Sequence, residues 1–380
     1  LHNRCRRQRQ MCIRDSKIFL EVDKLDYEFL YIGSLASGVG SNDIGLDRGQ
    51  LGQEKLVKFV KKGNKILLVE PNLFYRAQTQ NISEKKSVEQ AFAKSVIFGF
   101  EIVETNDEHY LIDFTPFLLY DRHGVSKRLR DLKQGSYKVD KSKSAIEIFN
   151  TKAFPENVEF EALLTFSGEA KGSMIRSVAP DPDNVSVVQH HSFIKLPDNN
   201  YKPRKFDPRS GAISISFMDY STPIDEPITK KFVIRHRLEK KNPELEISEA
   251  VEPIIYYLDP GTPEPVKSAL LEGGRWWNQA YESIGFKDAF QVKMLPEGAD
   301  PLDCRYNVIQ WVHRSTRGWS YGASVVDPRT GEIIKGHVSL GSLRIRQDYM
   351  IAQALTNEPF ASENNNNCLL YTSPSPRDTR

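Results

Sequence analysis

The sequence predicts an α+β chain: a β-rich amino-terminal region followed by a mixed α/β layer. Three observations carry that expectation. Short runs rich in Val, Ile, Phe and Tyr recur up to about residue 240, bounded by turn residues. Near residue 250 the pattern changes to an apolar strand, a helical stripe and further strands. Composition allows folded domains, because 39% of the 380 residues are hydrophobic and only 27% charged.

Taken in order, Ile18–Val22 and Tyr27–Ile32 read as strands separated by a polar Asp-Lys turn. Ser37 to Gly52 is a Gly-rich loop. Leu56–Val60 and Ile66–Val69 flank Lys62-Gly63-Asn64, a hairpin signal, because Gly takes the positive φ that tight hairpin turns need. Val88–Phe92 reads as a short helix. Val96–Val103 and Tyr110–Phe114 flank Asn106-Asp107, a second hairpin. Strands are expected at 157–166, 184–195, 211–218 and 230–238. The boundary between regions is placed in the charged, Pro-containing stretch Leu238 to Pro253.

Beyond it, Ile254–Leu258 is a compact apolar strand. Thr262 is read as the cap of a helix with Pro263 at its first position. Val266, Ala269, Leu270, Gly273, Trp276, Trp277, Ala280, Tyr281 and Ile284 recur at helical spacing, with Gly285 as the stop. The two tryptophans continue this stripe, so core packing is preferred over a ligand platform. Strands follow at Phe290–Leu295, Tyr306–Val312, Ala323–Val326 and Ile333–Leu340, the last pair around Asp327-Pro328-Arg329-Thr330-Gly331. Arg344–Leu355 reads as a helix.

The two ends are set apart. Arg6–Ser16 and Cys368–Asp378 resemble the translation of a sequencing adapter, so 1–16 and 368–380 are excluded from fold reasoning. They carry seven Arg and two Asp, so the formal charge of +2 becomes about −3 for the interior. That balance gives no nucleic-acid footprint. One cysteine remains, Cys304, too few for a disulfide framework or a thiolate metal cluster. The longest apolar runs, such as Ile66–Val69, are far short of a membrane span. The expected organisation is a β-rich region over 17–245, an incomplete α/β unit over 246–360, and a polar tail with adapter-like sequence over 361–380. The chain reads as a fragment.

Familiar catalytic motifs are absent: no Walker loop, no G-x-S-x-G elbow, no H-E-x-x-H and no Cys pair at zinc spacing. Gly38-Val39-Gly40 begins like a dinucleotide fingerprint, but the third Gly is missing, and a plain turn is the preferred reading. His190 and His191 are adjacent in an expected strand, so they point to opposite faces and do not simply chelate one ion. His236, among Arg235, Arg237 and Lys240, reads as part of a solvated face. Glu101, Glu104, Asp107 and Glu108 read as a solvated tip.

The pattern as a whole is more informative. Ile254–Pro260, Trp277–Ala289, Arg305–Trp311 and Gly322–Ile333, with Ala153–Glu159, His191–Pro197 and Arg237–Lys241 upstream, resemble a known family. These are the large bacterial zinc-dependent metalloproteases whose amino-terminal regions are catalogued as domains of unknown function. The resemblance covers roughly 17–355 and is most specific over 306–333. It implies the first half of a metzincin-like α/β protease domain, starting near residue 250. It also implies a periplasmic or extracellular setting and a polypeptide substrate. In that family a zinc-binding H-E-x-x-H-x-x-G-x-x-H helix follows the equivalent of Arg344–Leu355. This chain stops before it, so no residue here is assigned as metal ligand or catalytic base. The fragment is expected to bind no catalytic zinc and to be inactive. One element carries over: Tyr321, Gly322, Ala323, Ser324 and Val325 resemble the antiparallel edge strand that pairs with extended substrate. An ordinary hairpin arm turning at Asp327-Pro328 is the equal alternative. For the whole chain, the alternative is a non-catalytic β-rich module binding polypeptide or glycan.

Overall fold

A computed structural model describes residues 11–14, 17–316 and 319–355. The adapter-like flanks lie outside the described residues, apart from the backbone of Met11–Arg14, which pairs antiparallel with Lys17–Leu20. The protein is α+β and β-rich. Its first half is a curled antiparallel sheet forming a half-barrel.

The principal strands of that sheet are β1 (Lys17–Val22), β2 (Glu28–Ser37), β3 (Lys55–Lys62), β4 (Lys65–Glu70), β5 (Ser95–Asn106), β6 (His109–Asp113), β7 (Asn157–Ala170) and β8 (Asn184–Lys195). Their spatial order is β1-β6-β5-β4-β3-β2-β8-β7. Both expected hairpins form. Lys62 pairs with Lys65 around Gly63, whose φ is +58°, and Asn106 pairs with His109 around Asp107. The short helix runs longer than expected, as α1 (Ile82–Ala91), because Asn81 caps it by accepting from the Ser83 and Glu84 amides. β1 and β2, neighbours in sequence, do not pair with each other. β1 joins β6 and β2 joins β3 and β8, the link being turned at Asp26.

Alternation places Phe29, Phe100, Phe160 and Phe193 on one face, where Phe114 and Phe117 of the short helical turn after β6 join them, all fully buried or nearly so. Phe114 meets Phe100, Phe160 and Phe193 at centroid distances of 5.3, 5.4 and 5.6 Å. Removing each such ring from water contributes about 2–3 kcal/mol. The opposite face of β2 and β8 is buried too. There Leu30, Ile32, Leu56, Ile194 and Leu196 form a second cluster with Cys304 and Val325 of the other half. That double burial explains the nearly continuous buried run along β2.

A small sheet, β9 (Ser214–Asp219) and β10 (Thr229–Val233), leads to the second half. That half is built on β11 (Ile254–Leu258), β12 (Phe290–Met294), β13 (Asn307–Val312), β14 (Tyr321–Val326) and β15 (Ile333–Gly341). Their order is β12-β11-β13-β15-β14. The first four in that order are mutually parallel, and β14 alone runs antiparallel, at the edge.

The expected long helix is two pieces, α2 (Val266–Trp276) and α3 (Asn278–Glu282). Thr262 does not cap it; the helix begins after Pro265. Gly285 ends it with φ +85°. The expectation that Trp276 and Trp277 pack into the core is corrected: they are 57% and 66% exposed. The close approach to the sheet is made by Gly274 instead, where a Cβ would stand 2.5 Å from Val292. A final helix, α4 (Ser342–Leu355), follows β15 directly. No helix among the described residues is long and apolar enough to cross a membrane.

Candidate functional site

All five predicted edge residues lie in β14. Its register against β15 pairs Tyr321 with Ser339, Gly322 with Val338, Ala323 with His337, Ser324 with Gly336 and Val325 with Lys335. Among the described residues no strand pairs with its other side. In an antiparallel edge strand, alternate residues direct N–H and C=O away from the sheet. Gly322 is exposed and nothing stands within 4 Å of where a Cβ would project. Val325 is buried in the cluster shared with the first half, which anchors the strand from behind. The Asp327–Gly331 turn is fixed by Asp327, buried and held by Arg329 through Nε at 3.0 Å and Nη2 at 2.8 Å. The hairpin arm and the free edge are therefore one element.

Behind this strand is a cavity of about 620 Å³ between the two halves. One wall is the outer face of β7 and β8, the other Val325, Lys335 and His337. The register of β7 on β8 places Glu159 opposite Ser192 and Glu161 opposite His190. His190 donates from both ring nitrogens, Nδ1 to Glu161 Oε1 at 3.0 Å and Nε2 to Glu159 Oε2. Ser192 Oγ donates to the same Glu159 oxygen at 2.6 Å, and Asn157 Nδ2 donates to Oε1. Asn150 Nδ2 completes Glu161 at 2.8 Å. Burial by itself lowers the His190 pKa, but the two carboxylates outweigh it and raise the pKa to about 9. The imidazolium is thus held between two anions, as buried charge requires.

His191 faces the aromatic core instead, as adjacent strand residues must. Gln189 Nε2 donates to its Nε2 at 3.0 Å, leaving Nδ1 to face Tyr31 Oη at 3.0 Å. Burial, aided by His190, lowers its pKa to about 3. His236 is not on a solvated face; it is half-buried against Tyr256 Oη at 3.3 Å, and burial lowers its pKa to about 4. His337 is likewise lowered to about 4 by burial. Gly38-Val39-Gly40 is followed by a loop and not a helix, with the Val39 amide donating to the Leu46 carbonyl. Among the described residues no group of three or more His, Cys, Asp or Glu side chains is arranged to hold a metal ion.

The Glu159–His190–Glu161–Ser192 network was missed in the sequence. Its one signal is Glu-x-Glu at period two inside an apolar strand, and its partner strand lies some thirty residues on.

Residues 49–241, just over half of the chain, match the family described as Domain of unknown function (DUF5117), and the chain belongs to that family. No curated protein and no solved structure matches the chain.

Proposed function

We propose that the chain carries the substrate-pairing edge of a zinc-dependent metalloendopeptidase. The β-rich family domain packs behind that edge. The observation that carries this reading is the sheet order β12-β11-β13-β15-β14, with one antiparallel strand at a free edge. Such an edge holds an extended peptide backbone by main-chain hydrogen bonds, with little preference for its side chains. Gly322 keeps the approach open, and the buried Val325 keeps the strand from shifting.

The described residues do not fit a zinc ion. Both ring nitrogens of His190 are engaged by carboxylates, and no other set converges. In this reading the metal, its ligands and the general base come from sequence following Leu355, in a periplasmic or extracellular parent protein. This chain's own contribution is to bind and orient the peptide.

The test is binding of an end-blocked, fluorescein-labelled (Ala-Thr)4 peptide, compared with Gly322→Pro and Ala323→Pro. The two positions are adjacent, so one N–H faces outward and the other faces β15. Proline at the outward position abolishes binding while the chain still folds. The chain alone, given zinc, does not cleave a fluorogenic peptide; chelator-sensitive cleavage would overturn the placement of the metal site.

A second reading, a non-catalytic glycan- or polypeptide-binding module, draws on one surface cluster. Tyr75 stacks on Phe92 at 3.8 Å, with Tyr220 and Phe74 beside them and 44% and 47% exposed. Glycan binding lost in Tyr75→Ala, with no peptide binding at β14, favours that reading.

A further inference from the structure

The Gly-rich loop 38–52 of the first half does not fold back on its own sheet alone. It reaches across to the connection between β13 and β14. Arg314, in that connection, is buried and stands 2.8 Å by its Nε from the buried Asp47 Oδ2. The same guanidinium donates through Nη1 to the Trp319 carbonyl at 3.0 Å and lies 5.6 Å from the Tyr321 ring centroid, at the first residue of β14. Two more bonds flank the pair. The Ser315 amide donates to the Gly40 carbonyl at 2.7 Å, and the Asn42 amide donates to Thr316 Oγ1 at 3.0 Å. Arg48 Nη1 donates to the Trp311 carbonyl at 3.2 Å, one residue before β13 ends. Gly49, at φ +77°, brings the loop so close that a Cβ would overlap the Gln310 side chain.

A buried ion pair is weak evidence for stability but strongly constrains position, since neither charge tolerates losing the other. From the Asp47–Arg314 pair and the bonds beside it, we propose that loop 38–52 is a positioning element that fixes the entry of the edge strand β14. The β-rich first half thereby sets the geometry of peptide pairing, an inference that rests on the reading of β14 as the peptide-pairing strand. Asp47 and Arg314 act through β14 and touch no substrate.

The test is hydrogen exchange on the whole chain, wild type against Asp47→Asn, read at residues 319–326 and at Ile254–Leu258 in β11. The expected result is exchange faster by about tenfold or more at 319–326 with β11 unchanged, because local opening is released without global unfolding. Peptide affinity falls in parallel. Unchanged exchange at 319–326, or an equal rise in β11, overturns the inference. Should Asp47→Asn fail to fold, the milder Thr316→Val, which removes only the bond to the Asn42 amide, decides by the same two criteria. If wild type binds no peptide while exchange still rises selectively, the positioning role stands and the proposed function falls.

Discussion

His190 is the residue whose chemistry is most constrained. Its pKa lies near 9 in the folded chain against 6.5 in an unfolded one. A raised pKa means that the folded state holds the proton more tightly, so the stabilisation is fully present below pH 6.5 and is lost as pH rises through about 9. The effect amounts to about 3 kcal/mol at most. Denaturant titration at pH 7 and pH 10 is expected to show the loss, and His190→Gln to remove that part of the pH dependence. A wild-type chain equally stable at both pH values would refute the assignment. His191, His236 and His337 have lowered values, so their sign is opposite: their contribution is complete above pH 6.5 and falls away on acidification toward about 4 for His236 and His337 and about 3 for His191. Little of this was legible in the sequence. The opposed faces of His190 and His191 follow from strand geometry, but Glu159 and Glu161 meet His190 only through a register that no local pattern reveals.

Secondary-structure elements were more legible. The hairpins at Gly63 and Asp107 declare themselves, because a two-residue turn with positive φ is a local requirement met by local residues. The pairing of β1 with β6, some ninety residues away, is not local and leaves no such mark. The α2 stripe misled for another reason: periodicity marks one face as apolar without showing that anything covers it. Trp276 is more than half exposed, whereas Phe114 is fully buried among other rings. Phe114→Ala is therefore expected to cost about 3–5 kcal/mol and Trp276→Ala less than about 1 kcal/mol, as measured by chemical denaturation. Comparable losses would place the tryptophan in the core after all. The edge strand β14 was legible in position but not in its backing. Its side of the sheet follows from the order of strands, while the place of Val325 in one cluster with Ile32 and Leu56 does not.

The whole molecule behaves as two halves bolted together. Leu30, Ile32, Leu56, Ile194 and Leu196 are covered by Cys304 and Val325 across the junction. Arg237 grips Glu332 through Nε at 2.7 Å and Nη2 at 3.0 Å, and Arg76 Nη2 donates to the Pro328 carbonyl at 2.6 Å. Calorimetry of the chain is expected to give one cooperative transition, and residues 17–245 alone to bind a hydrophobic dye through the uncovered face of β2 and β8. Two separated transitions would mean that the junction contributes little. The boundary expected near 238–253 rests on composition alone and gives no hint of how closely the halves interlock.

The most direct measurement is cleavage of an internally quenched peptide by the parent protein of the proposed function, with and without a zinc chelator. The comparison variant is the β14 proline substitution that abolishes peptide binding. Zinc-dependent cleavage that collapses in that variant, with its fold intact, is the predicted result. No cleavage at all, or cleavage indifferent both to the chelator and to β14, would contradict the proposal that this chain serves a zinc endopeptidase.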